Sequence, residues 1–275
     1  MKKLLSLLAV AAVTVSLFGI DIFNYVTING DVKNYTQTDF DIASKFGNYY
    51  RTPSTKYVST LNNSGKVVEV TELSARDAII NKTNNKYDVY GNLTEQACYD
   101  ADSKLLWKTI ITYNNGQKVD SSEYGKDGSL KAKTIFTYTD GKLTDETGYD
   151  GDGALIWKII YTYNDKGKQE IVYEYNSDGS LDNKNSYTYT DDGKIDSITS
   201  YDTFTNLTTQ KIFRYAANGT LSEITTYNQN KQVTNRIVLK YDAGGNVTKL
   251  SEYNIADKFG TTVNELIAMS EYSYQ

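Results

Sequence analysis

The 275-residue chain contains no histidine, one cysteine and one proline. The lack of histidine removes the commonest general base and every Ser-His or Cys-His nucleophile arrangement. A zinc site would be left with carboxylates and one thiolate, an unusual donor set. Cys98 stands alone, so no intramolecular disulfide can form. GxSxG, P-loop and GxGxxG patterns are missing. Carboxylates abound, but none stands in a setting that would separate the pKa values of a pair, as acid–base catalysis requires. The sequence therefore carries no catalytic constellation, and we expect no enzyme, no cofactor and no metal site. Large aliphatic side chains are also scarce. Hydrophobic residues make up 39% of the chain and tyrosine alone supplies 25 of them, so an elongated structure with a thin, tyrosine-rich interior fits better than a bulky aliphatic core.

The first residues, MKKLLSLLAVAAVTVSLFGI, combine Lys2 and Lys3 with an apolar run from Leu4 and small residues after it. That is the pattern of a Sec-type secretory signal, expected over residues 1–20. No cysteine stands near Ile20 to make a lipoprotein anchor. Cleavage would leave a chain without a membrane span and take the formal charge from −5 to −7. Such a charge disfavours nucleic acid, whose backbone selects basic surfaces. A secreted, periplasmic or cell-surface protein is expected.

What the chain has in abundance is one turn. YGKDGSL, YDGDGAL, YNSDGSL and YTDDGKI begin at Tyr124, Tyr149, Tyr175 and Tyr189. The opening tyrosines run from Tyr87 through Tyr99 and Tyr113 to Tyr241 and Tyr253, in steps that alternate between 11 or 12 and 14 residues. The unit is thus two strands and two turns, 25 or 26 residues long. Between turns the sequence alternates with period two, as in ALIWKIIYTY, and is rich in β-branched and aromatic residues. Glycine in the turns accepts positive φ without steric cost. We expect an all-β antiparallel meander of tandem 25–26-residue double-hairpin repeats, forming an elongated, twisted or coiled sheet over residues 56–275. Residues 21–55 are expected to form an N-terminal cap with one short helix in TQTDFDIASKFGNYYR, Thr38 serving as N-cap.

Columns of the repeat suggest which residues matter. Two before each long-strand tyrosine stand Ile111, Phe136, Tyr161, Tyr187, Phe213 and Leu239, while the matching short-strand places are mostly Ser or Thr. Trp107 and Trp157 share another column. Trp107, Trp157, Tyr161 and Tyr187 are the candidate ligand-binding residues, as an exposed aromatic surface that stacks on a ligand, or else as the interior seam of a curled sheet. A further column holds Lys108, Lys133, Lys158, Lys184, Gln210 and Arg236. Simple hairpins would set Lys108 opposite Glu123, Lys158 opposite Glu174 and Arg236 opposite Glu252, as cross-strand ion pairs. Asp150 and Asp152 before Gly153 resemble the start of a calcium loop, but the terminal bidentate glutamate is missing and turn chemistry explains them.

The fingerprint Y-x-x-x-G-x-[LIV], complete at Tyr87, Tyr124, Tyr149, Tyr175, Tyr189, Tyr215 and Tyr241, resembles the YD repeat of the RHS family. The resemblance covers residues 56–275. It implies strands wound into a coiled β-sheet and, for short secreted bacterial members, a surface or envelope role. A lesser likeness is to the single-layer sheets of spirochaete outer surface proteins. The expected function is an extracytoplasmic scaffold that binds an envelope or host-surface ligand, a glycan foremost, through its aromatic ridges. The alternative is a structural or adhesive module that contacts a surface protein and has no small-molecule site.

Overall fold

The computed structural model describes residues 25–45, 48–258 and 260–275. The expected signal segment lies outside the described residues. Among those described, eighteen strands follow one another: β1 (Asn34–Lys45), β2 (Asn48–Leu61), β3 (Val67–Ser74), β4 (Ile79–Tyr87), β5 (Leu93–Asp100), β6 (Leu105–Asn114), β7 (Gln117–Gly125), β8 (Leu130–Thr139) and β9 (Lys142–Asp150). The second half comprises β10 (Leu155–Tyr163), β11 (Gln169–Asn176), β12 (Leu181–Tyr189), β13 (Ile195–Asp202), β14 (Leu207–Tyr215), β15 (Leu221–Tyr227), β16 (Val233–Tyr241), β17 (Val247–Lys258) and β18 (Thr261–Tyr274). Each strand pairs antiparallel with the next, and β18 pairs back onto β1. The molecule is a closed up-and-down β-barrel.

Closure corrects two expectations. The sheet is not open and coiled, because Tyr35 to Phe40 of β1 register against Tyr274 to Met269 of β18 and leave no free edge. Nor do the described residues of the N-terminal part hold a helix. Residues 36–45 lie in β1 and residues 48–51 in β2, and the boundary drawn at residue 56 falls inside β2. The local capping signal at Thr38 and Asp39 loses to two ladders. Tyr35, Gln37 and Asp39 face one side while Thr36, Thr38 and Phe40 face the other, which is strand periodicity.

The repeated turn has a consistent construction. Tyrosine and the aliphatic residue six positions later are register partners across it: Tyr87 with Leu93, Tyr124 with Leu130, Tyr175 with Leu181, Tyr241 with Val247. Between them the glycine takes positive φ, +82° at Gly179, and its N–H donates to the carbonyl of the residue after the tyrosine, as Gly179 does to Asn176 (3.0 Å). At Asp150 a carboxylate oxygen accepts the N–H groups of Asp152 (3.0 Å) and Ala154 (2.8 Å). Asp150, the first acidic residue of YDGDGAL, is thus engaged by its own turn.

Beyond most turns one strand carries an extra residue. In the β6–β7 hairpin Tyr113 pairs with Lys118, but Thr112 pairs with Asp120, so Val119 is the bulge. Similar shifts follow Tyr161 and Lys240. The bulge moves the register by one residue and swaps faces. Lys108 therefore lies opposite Tyr124, Lys158 opposite Tyr175 and Arg236 opposite Tyr253. The expected pairs with Glu123, Glu174 and Glu252 do not form. Those glutamates sit on the other face, opposite Thr109, Ile159 and Ile237. Lysine uses other acids: Lys158 pairs with Asp145 at 2.7 Å.

The face carrying Ile111, Phe136, Ile159, Phe213 and Leu250 is the more buried; it is the inner wall. Along β6, Thr109 and Ile111 on this face are buried while Leu106, Ile110 and Thr112 on the other are exposed. Successive units are offset by two residues: Ile110 registers with Ser122 and Ser122 with Lys133, two short of the homologous Ile135. An offset of two residues per two strands tilts the strands by about 35°, and a circular wall of this kind measures roughly 35 Å across its backbone. The same offset keeps homologous residues of successive units level, so columns of the sequence become rings around the barrel.

Candidate functional site

Long-strand tyrosines close one rim from within. The hydroxyl of Tyr163 donates to the carbonyl of Leu143 (2.6 Å), that of Tyr189 to Gln169 (2.7 Å), that of Tyr215 to Ile195 (2.9 Å) and that of Tyr241 to Leu221 (2.6 Å). Each acceptor lies at the start of the preceding strand, the first residue at Gln169, Ile195 and Leu221 and the second at Leu143, so each tyrosine satisfies a carbonyl at a strand end. Lysines cover several rings: Lys142 lies 5.3 Å from the Tyr163 centroid and Lys168 5.0 Å from that of Tyr189.

Above this rim the inner wall becomes polar. Tyr161 donates to Glu146 at 2.7 Å. Asn185 donates to Glu174 (3.1 Å) and accepts from Ser200 (2.5 Å). Asn235 donates to Glu252 at 2.6 Å. Burial raises the carboxyls of Glu146, Glu174 and Glu252 above their ordinary range. Burial likewise lowers Lys211, and holds Lys118 at about 8 although Glu146 opposes the shift. Lys118 rests 4.1 Å from the Phe136 ring centroid. The wall is thus rich in hydrogen-bonding groups whose charges are weakened by partial desolvation.

A cavity of about 360 Å³ opens on this wall, lined by Ile159, Tyr161, Val172, Glu174, Asn185, Tyr187 and Lys211, among others. Tyr25 also lines it; the segment before β1 reaches the lumen there, with the Tyr25 ring centroid 5.2 Å from that of Phe213. Asn29 and Asn246 fix that segment to the β16–β17 turn: Asn29 N–H donates to Asn246 Oδ1 (2.6 Å) and Asn246 Nδ2 donates to the Asn29 carbonyl (3.2 Å).

All four candidate residues lie on the inner wall, half-buried. Their side chains therefore face the inside of a closed barrel, neither an outward platform nor the seam of a curled sheet. The structure brings Tyr161 and Tyr187 together in the cavity. Burial first, then neighbouring charges, pushes Tyr187 up to about 12 and Tyr161 higher still, so both hydroxyls stay protonated donors. Trp157 stands on the same strand as Tyr161. A Cβ on Gly148 would come within 2.2 Å of its ring, so Trp157 lies flat across β9 where glycine leaves room. Trp107 sits four strands from β10, roughly 20 Å along the wall, beside Cys98 and Gly125. The sequence reading missed Glu146, Asn185 and Lys211, and set Glu174 opposite Lys158 when it lies opposite Ile159. They are the inward positions of their strands, and only the bulges would have disclosed that.

No family model matches the chain, and no curated protein matches it. Among solved structures, a porin-like protein from Bacteroides uniformis is similar over 90% of this chain and 99% of its own, at 10% identity and a TM-score of 0.49. A porin-like protein from Bacteroides vulgatus is similar over 78% of this chain and 100% of its own, at 10% identity and a TM-score of 0.42. The Photorhabdus luminescens Tc holotoxin pore is similar over 78% of this chain and 20% of its own, at 12% identity and a TM-score of 0.20.

Proposed function

We propose that the protein is an extracytoplasmic binding barrel that takes a neutral glycan on its inner wall, at the cavity around Tyr161 and Tyr187. The observation that carries this reading is the chemistry of that cavity. Protonated tyrosine rings offer flat apolar faces, while Glu174, Asn185 and Ser200 offer hydrogen bonds beside them. That combination suits a ligand with apolar ring faces and hydroxyl edges. The envelope setting rests on the signal-like N-terminus and the YD-repeat resemblance.

The barrel is read as water-borne and not embedded. Among the described residues no helix is long and apolar enough to cross a membrane, which leaves strands to be judged. Their outer face carries Lys82, Lys108, Lys133, Lys158, Lys184 and Arg236 opposite tyrosines. Lysine or arginine on a lipid-facing wall costs about 2–4 kcal/mol each at the bilayer midplane. A row of them at one level argues against a continuous apolar band there.

The test is a neutral-glycan array followed by titration monitored through tryptophan fluorescence. A saturable ligand is expected, with Tyr187→Ala weakening it by about tenfold. Binding that ignores Tyr161→Ala and Tyr187→Ala would contradict the reading. A second reading, adhesion to a surface protein, is favoured by Val89 and Tyr90, about nine-tenths exposed at a turn tip. Capture of one protein partner, lost on Tyr90→Ser, would support it.

A further inference from the structure

We propose that the outer wall carries a second site, a belt for a linear anionic polysaccharide with one acidic group on about every second sugar. The belt is independent of the lumenal cavity, since its residues point to the other face. It runs over β6 to β12. Lys108, Lys133, Lys158 and Lys184 stand on alternate strands, and Tyr124, Tyr149, Tyr175 and Tyr201 stand on the strands between, each in register with a lysine. None of these eight side chains is buried out of reach of solvent.

The sequence reading absorbed Lys108 and Lys158 as partners of Glu123 and Glu174, and the bulges remove that explanation by turning both glutamates inward. Lys158 does find an acid, Asp145 at 2.7 Å. Lys108, Lys133 and Lys184 have no carboxylate within ion-pair distance among the described residues. Lys108 instead stands 5.8 Å from the ring centroid of Tyr124, and Lys184 5.7 Å from that of Tyr173. These lysines therefore stand without a carboxylate partner among the described residues, on a molecule whose net charge is negative.

Spacing selects the ligand. Two strands across and two residues along separate successive lysines by about 12 Å. That is close to the reach of two sugars in an extended chain. Between each pair of cations stands a tyrosine ring against which the intervening sugar can pack, the Lys108 ammonium sharing the face of Tyr124. A polymer charged on every unit would leave alternate charges over rings, and a neutral one would forgo the lysines altogether. Lysine offers a point charge on a flexible stem, so it tolerates carboxylate and sulfate alike.

The experiment is binding of the full chain to a long hyaluronan oligosaccharide, whose uronates alternate with uncharged sugars. Polygalacturonate, dextran and a single-stranded oligonucleotide serve as comparisons, all across a salt series. We expect hyaluronan to bind most tightly and dextran not at all. The variant Lys108→Gln/Lys133→Gln/Lys184→Gln keeps the stems that cover the sheet, so its melting curve should match wild type. Its affinity should fall about tenfold, and the slope of log affinity against log salt should shrink by about two. Tyr161→Ala, on the inner wall, should leave hyaluronan binding unchanged, which separates this site from the lumenal one. Preference for the oligonucleotide, or hyaluronan binding that the triple variant retains, would overturn the proposal. Failure to bind any polyanion at low salt would overturn it as well.

Discussion

Single residues of the inner wall show how a barrel stays folded with few aliphatic side chains. Tyrosine supplies ring area and its own hydrogen-bond partner, as Tyr163 does with the Leu143 carbonyl. Tyr163→Phe keeps the ring and orphans that carbonyl, so it should cost about 0.5–1.5 kcal/mol in urea unfolding. An unchanged midpoint would mean the hydroxyl bond contributes nothing. Lys118 makes the opposite test. Its amine is held at about 8, below the ordinary lysine value of 10.5. Between those two values the unfolded chain binds more protons, so its share of stability rises with pH; below 8 the penalty for burying the charge is in full force. Lys118→Met, which keeps an unbranched side chain on Phe136, should stabilise by about 1–3 kcal/mol at pH 7, and the gain should shrink by pH 9.5. A gain independent of pH would place the effect in packing and not in charge. These residue roles were only partly legible. The tyrosine column announced itself by repetition, whereas Lys118 and Glu146 look like ordinary surface charges until the face they occupy is known.

At the scale of the hairpin, the bulge is the decisive device. Strand existence, period and turn position were legible because Asp-Gly turns and alternating runs encode them locally. The one-residue shift after Tyr113 was not, since Val119 is an ordinary strand residue and its exclusion from the ladder is a backbone event. A simple hairpin would have turned Glu123 outward to Lys108 and Tyr124 inward; the bulge does the reverse. Deleting Val119 should therefore force β7 to choose between correct faces and correct pairing. We expect a loss of more than about 3 kcal/mol, because every inward and outward residue of one strand is exchanged. Deleting Phe204, about nine-tenths exposed at a turn tip, should cost far less. Equal costs in chemical denaturation would deny the bulge its role. Gly148 is a second device at this scale. Gly148→Ala should displace Trp157 from β9, shift its fluorescence and destabilise by about 1–3 kcal/mol.

For the whole molecule, closure determines what the repeat can do. A coiled open sheet would expose both faces; a closed barrel separates a tyrosine- and glutamate-lined interior from a lysine- and tyrosine-belted exterior. Closure was hidden in the sequence because the strand that completes the ring looks least like the repeat. β1 carries Thr38, Asp39 and Asp41, which read locally as a helix start. In the fold Asp39 is fully buried at the seam, accepting hydrogen bonds from Gln37 at 2.9 Å and from Ser270. Burial raises its carboxyl above the usual range. Such a group makes sense only between two ladders that meet there.

The seam also offers the most direct test. Thr36 and Ser273 are register partners on β1 and β18, at opposite ends of the described chain. With Cys98→Ala removing the native thiol, Thr36→Cys/Ser273→Cys should be joined by a short bifunctional thiol reagent within one molecule, at any protein concentration, giving a monomer of altered mobility. Thr71→Cys/Lys82→Cys, partners within the β3–β4 hairpin, provides the positive control. If that control links while the seam pair stays open, or links only between molecules, the barrel is not closed and the division into inner and outer walls fails with it.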